Sequence, residues 1–207
     1  GWCLRRRTRC AIAWRHPEAI TVPVEEASLA IAVITGALTY DRHNLHTTLS
    51  DHGLAPNLVI DPQRTDHAET LAALTRAVRL GLDTVGPHAR GDRRIRFDGL
   101  LTNGKALIAP GQANDEVMEI NEAIKAASRN QGFADGNGLK GAWGAHMTTN
   151  RFTTDAAIDT AAHLVDALHT VPRIGDSIPT AIDVGYLAVS PEGFQYTTHE
   201  RFPLTQG

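Results

Sequence analysis

The chain reads as an α+β protein of two pseudo-symmetric, mainly antiparallel sheets, with helices on their outer faces and a central cleft. Three observations predict this. Apolar stripes at helical spacing alternate with short β-prone runs. Two hairpin signals, Asn103-Gly104 and Pro191-Glu192-Gly193, each join two apolar runs. One order of elements (a His-x-Thr tetrad, a helix, a hairpin) occurs twice, without repetition at the level of residues.

Residues 1–28 carry five arginines, Arg5, Arg6, Arg7, Arg9 and Arg15, and are expected to be a solvated basic N-terminal extension. Residues 29–207 then form the two-lobed domain. The apolar, β-prone run at 29–40 predicts a strand, and 44–49 a second short one. Gly53, Pro56 and Pro62 mark 51–65 as a loop. Asp66 and Glu69 resemble a capping box opening a helix. Leu71, Leu74, Val78 and Leu82 follow at helical spacing, and Gly81 and Gly86 mark its end.

Residues 95–109 predict a hairpin turning at Asn103-Gly104. A second helix starts near Asn114, with Val117, Ile120, Ile124 and Ala127 as its stripe. A glycine-rich loop, the second tetrad and a third helix from Thr153 or Thr154 come next. A Pro/Gly linker leads to the last hairpin.

The net charge of −3 argues against nucleic-acid binding by overall charge and leaves room for a local basic site. Two cysteines, Cys3 and Cys10, are too few for a disulfide framework, which points to a reducing, cytoplasmic setting. The apolar run Ala11 to Trp14 is too short for a signal peptide, and no stretch is long enough to span a membrane. A monomer is expected.

The tetrads His46-Thr47-Thr48-Leu49 and His146-Met147-Thr148-Thr149 lie 100 residues apart. On strands, a period of two puts each histidine and the threonine two residues on upon one face. Two imidazoles across a cleft can act as base and acid near neutral pH. Opening a cyclic phosphodiester needs both events: one His activates water and the other protonates the departing ribose oxygen. Thr48 and Thr148 can hydrogen-bond the non-bridging phosphate oxygens. This chemistry needs no metal and no cofactor. Run in reverse, it is ligation.

The paired tetrads resemble those of the two-histidine (2H) phosphoesterase superfamily, whose pattern is His-x-Thr/Ser-apolar, twice. The first tetrad fits throughout. The second departs at Thr149, where an apolar residue is usual. AIDVGYLAVS and FQYTTHERFPL resemble the family's terminal strand pair, and the likeness covers residues 29 to 204. It implies a bilobal fold with a central cleft, and catalytic His46 and His146 with substrate-binding Thr48 and Thr148. The expected function is a metal-independent phosphodiesterase acting on 2′,3′-cyclic phosphates of RNA ends or nucleotides, or on a related small cyclic phosphate. The alternatives are a non-catalytic phosphate or RNA-end binding module and a 2′-5′ RNA ligase. Which His is acid stays open; the family analogy favours His46 as acid.

Around the tetrads, Arg151 is a candidate phosphate ligand through its guanidinium fork, and Arg42 a weaker one. Tyr40 and Trp143 are candidates to stack on a base, against packing roles. His43 and His52 have no carboxylate or cysteine at ligand spacing, so no metal site is expected. Gly136-Asn137-Gly138-Leu139-Lys140-Gly141 spells GxGxxG, but it lacks the preceding strand and opening helix of a dinucleotide site.

Overall fold

The computed structural model describes residues 7–53, 65–86, 91–102, 106–133, 143–152, 173–190 and 193–204. The expected third helix, the glycine-rich loop and the turn residues Asn103-Gly104 and Pro191-Glu192 lie outside them. Among the described residues, three helices pack on ten strands joined in one antiparallel sheet.

The first strand, β1 (Arg7–Arg15), corrects the expected N-terminal extension. It is an interior strand, paired antiparallel with β3 (Thr47–Gly53) on one side and β9 (Ala181–Ser190) on the other. Alternation sends Cys10, Ile12 and Trp14 into the main core, and Ala11 and Ala13 against Tyr196 on the opposite face. Two of its arginines face partners rather than solvent: Arg9 pairs with Asp51 and Arg15 with Asp183. Trp14 donates its indole N–H to Asn121 Oδ1 at 2.8 Å, tying the strand to a helix on the core side.

The strand expected at 29–40 is instead the second half of a helix, α1 (Glu18–Thr35). Its buried stripe is Ile20, Val24, Ser28, Ile31 and Thr35, which is helical spacing. Leu29, Val33 and Ile34 are apolar on the outer face, 52%, 88% and 50% exposed, and they turn the stripe into a continuous run. Gly36, at φ 65°, ends the helix in the left-handed conformation and donates to Ala32 O. Only Leu38–Thr39 of the expected strand is extended, as β2.

Helix α2 (Thr65–Val85) forms where the capping signal predicts, with Leu71, Leu74, Val78 and Leu82 buried. Gly81 does not end it. A Cβ there would stand 2.8 Å from Ile124 Cα, so Gly81 lets α3 (Asp115–Asn130) lie close against α2. Asn114 caps α3 by accepting from Val117 N–H, and Val117, Ile120, Ile124 and Ala127 are buried as expected. The antiparallel pair of the central hairpin also forms, as β5 (Leu101–Thr102) against β6 (Ala106–Ala113).

The sheet runs β10-β9-β1-β3-β7-β6-β4-β8, with β4 at Ile95–Phe97, β7 at Ala145–Arg151, β8 at Gly175–Ser177 and β10 at Gly193–Pro203. The hairpins are exchanged between halves. The pair β9–β10, after the second tetrad in the chain, flanks the first tetrad's strand through β1. β6, after the first tetrad, pairs with the second tetrad's strand. The half β10-β9-β1-β3 meets the half β7-β6-β4-β8, to which β2 adds on β7 and β5 on β6, at one residue pair, Thr47 opposite Met147. Both tetrads therefore sit at the seam.

Candidate active site

Each tetrad alternates as a strand at a core boundary must. In the first, Thr47 and Leu49 are buried toward the helices, while His46 and Thr48 point to the other face. In the second, Ala145, Met147 and Thr149 are buried, while His146 is exposed and Thr148 half-buried. The antiparallel register at Thr47 and Met147, taken one residue either way, sets His46 opposite Thr148 and Thr48 opposite His146. All four expected residues thus lie on one face about a local two-fold.

Thr149, the departure from the family pattern, faces the core with its hydroxyl satisfied. It donates to Leu107 O at 3.3 Å and approaches Asn150 Oδ1 at 2.9 Å. A hydroxyl stands where a methyl would, at no cost in unpaired polar atoms.

Both imidazoles are fixed in the same way. His46 Nδ1 lies 2.7 Å from Asn44 O, and His146 Nδ1 lies 3.2 Å from Gly144 O, in each case the carbonyl two residues back. A carbonyl only accepts, so each Nδ1 carries the proton and each neutral ring keeps its lone pair on Nε2. The backbone before His46 is itself braced. Asp41 Oδ1 accepts from the N–H groups of His43 and Asn44, and Asn44 Oδ1 accepts from Tyr196 N–H at 2.7 Å.

The surroundings of the two rings differ. His46 is 7% exposed, stacked with Phe194 at 5.7 Å and tilted against Tyr196 at 5.0 Å. Burial pushes its pKa down to about 4, with the bond to Asn44 O opposing, the charges of Arg15 and His146 adding to the fall, and Asp183 opposing.

Arg151 ends β7 and is half-buried, its Nε donating to Tyr40 Oη at 2.6 Å. Tyr40 is 2% exposed and stacked under Phe194 at 3.9 Å, so it has no free face for a base; what it does is hold Arg151. Trp143, also half-buried, donates its indole N–H to Thr48 O at 2.9 Å and so clasps the two tetrad strands together. Arg42 is turned to Glu25. Among the described residues no three His, Cys, Asp or Glu side chains converge as a metal site. No described helix is long and apolar enough to cross a membrane.

Four contributors escape a reading of the sequence: Arg15, Asn44, Phe194 and Tyr196. Three come from strands far from the tetrads in the chain. The one local sign was the alternation of Ala11, Ala13 and Arg15 along β1.

No family model and no curated protein matches the chain. Solved structures match it over almost its whole length. E. coli LigT complexed with 3′-AMP is 16% identical at a TM-score of 0.61, covering 97% of this chain and 99% of that one. A structure described as a phosphoesterase is 15% identical at 0.60, over 97% and 99%. TT0787 of Thermus thermophilus is 18% identical at 0.59, over 96% and 98%. LigT is also known with ATP, NADP+ and phosphate bound. The chain has the fold of these proteins.

Proposed function

We propose that the chain is a two-histidine phosphoesterase and opens 2′,3′-cyclic phosphates of nucleotides or RNA ends. One observation carries the reading. Two histidines, each with Nδ1 tied to the carbonyl two residues back, sit with a threonine beside each on one face of a local two-fold. The fold shared with a phosphoesterase and with LigT supports it, and the nucleotides and phosphate bound to LigT favour a phosphate-bearing substrate.

In this reading the cyclic phosphate lies across the seam. Thr48 and Thr148 donate to its non-bridging oxygens and stabilise the charge that builds there in the transition state. One Nε2 takes a proton from water as the water oxygen bonds to phosphorus. The other Nε2, protonated, gives its proton to the ribose oxygen as its bond to phosphorus breaks. The Nδ1 bonds to backbone carbonyls hold both rings in the tautomer and orientation that these transfers need. Arg151, held by Tyr40, adds a charged donor to the phosphate. No step uses a metal.

A panel of 2′,3′-cyclic nucleotides and cyclic-phosphate RNA ends tests the proposal, with products resolved as 2′- or 3′-phosphates and EDTA present in parallel. Turnover unchanged by EDTA is expected. Loss of turnover with EDTA would reject the metal-free mechanism. A ligand bound but returned unchanged after long incubation would make the site a binding module, and joined RNA ends would make it a ligase.

A further inference from the structure

A two-fold arrangement of tetrads leaves acid and base interchangeable, but the chain around them is not symmetric. Building on the phosphodiester reading above, and reversing the roles that the family analogy favours, we propose that Arg15 breaks the symmetry, making His46 the base that activates water and leaving His146 as the acid for the departing ribose oxygen. Arg15 acts through His46 and is a positioning residue, not a catalytic one.

The placement follows from the register of β1 on β3. Trp14 stands opposite Thr47, so the next pair sets Arg15 opposite His46 on the cleft face. From there its Nη2 donates to His43 O, within the turn that presents His46. The guanidinium lies over the Tyr196 ring at 5.6 Å, and that ring also tilts against His46. Nη1 is buried with no hydrogen-bond partner, so the charge is poorly solvated.

Asp183 does not cancel that charge. Its carboxylate accepts two 2.8 Å bonds from Arg201 and a third from Thr198, while Arg15 Nε stands 3.5 Å away. One carboxylate is shared by two guanidinium groups and bonds Arg201 more closely, so it offsets only part of the charge that Arg15 sets beside His46. The other titratable groups around His46 are His16 after β1, Asp41 and His43 in the preceding turn, His146 on β7 and Tyr196 on β10. Asp41 is engaged with the backbone N–H groups of His43 and Asn44.

His46 is thus a buried ring beside a fixed positive charge, while His146 is an exposed ring on the far side of the seam. A buried imidazole beside a guanidinium starts turnover neutral, as a base requires. His46 Nε2 takes the water proton while the water oxygen forms the new P–O bond. The P–O bond to one ribose oxygen breaks, its electron pair stays on that oxygen, and His146 Nε2–H supplies the proton. Exchange with solvent then returns each ring to its starting state.

Replacing the leaving oxygen with sulfur tests this, because a thiolate leaves without needing a proton. The substrates are a 2′,3′-cyclic nucleotide and its two phosphorothiolates, with sulfur at the 2′ or the 3′ bridging position. His146→Ala should lose about 10²- to 10⁴-fold on the oxygen substrate, the span of one acid–base group. On the isomer whose sulfur departs it should return to near wild-type turnover. His46→Ala should stay equally impaired on all three. Arg15→Gln should move the acidic limb of kcat/KM upward by about one pH unit, the order of shift a neighbouring charge produces. Arg15→Lys, which keeps the charge, should leave that limb in place. If His46→Ala is the variant rescued, or if neither is, the assignment is overturned while the phosphodiesterase reading stands. If the wild type turns over none of the substrates, the reading beneath it fails as well. The histidine comparison does not depend on Arg15→Gln folding.

Discussion

Acid should unfasten the middle of this sheet through His16. Its imidazole is 8% exposed and bridges Ser177 Oγ at 2.7 Å and Thr47 Oγ1 at 2.8 Å. Thr47 is half of the one residue pair that joins the two halves. Burial, followed by the charges of His46 and Arg15, pushes the His16 pKa from 6.5 down to about 3. In the unfolded chain the same ring titrates near its ordinary value. Below pH 6.5 the unfolded chain takes up a proton that the folded one refuses. The His16 contribution to stability is therefore complete above pH 6.5 and is lost as pH falls toward about 3. The loss is about 1.4 kcal/mol per pH unit, or about 2 kcal/mol between pH 6.5 and 5.0. His46 adds a parallel loss over the same range. Urea titrations of wild type and His16→Gln at both pH values isolate the His16 share, because carboxylates contribute alike to both proteins. The wild-type drop should exceed that of the variant by about 2 kcal/mol. Equal drops would refute the view that His16 is held neutral at the seam.

Three further outcomes follow from the packing and the site. Gly81→Ala should cost roughly 2–4 kcal/mol in urea unfolding, because its methyl meets the backbone of Ile124 and α2 and α3 must part; a variant within 0.5 kcal/mol (about the scatter of surface substitutions) would contradict the close approach. Tyr40→Phe should raise KM for a cyclic nucleotide roughly three- to tenfold with kcat nearly kept, since it frees Arg151 without touching the histidines; an unchanged KM would remove Arg151 from the phosphate. Thr149→Val should cost about 1 kcal/mol of stability, the worth of one buried hydrogen bond, and leave kcat unaltered, as measured by thermal melts and initial rates.

The parts of this fold that were legible in sequence are those whose signal is local. The stripes of α2 and α3 sit on otherwise polar helices, so their period shows. The tetrads are legible because four residues carry both the strand alternation and the chemistry. α1 was hidden because Leu29, Val33 and Ile34 fill its outer face and blur the period. β1 was hidden because arginines that end in ion pairs with Asp51 and Asp183 look like a solvated tail. The exchange of hairpins between halves is a choice among distant pairings, which no local pattern records. The same holds for the walls of the site. Phe194 and Tyr196 reach His46 from β10, and Arg15 from β1, through contacts that only the folded sheet creates.

The most direct test of one shared site is the kcat of wild type, His46→Ala, His146→Ala and the double variant on a 2′,3′-cyclic nucleotide. Two histidines working on one phosphate act as a unit. Each single variant should fall by about 10²-fold or more, and the double variant by far less than the product of the two losses. Either single variant near wild type, or losses that multiply in full, would contradict the account.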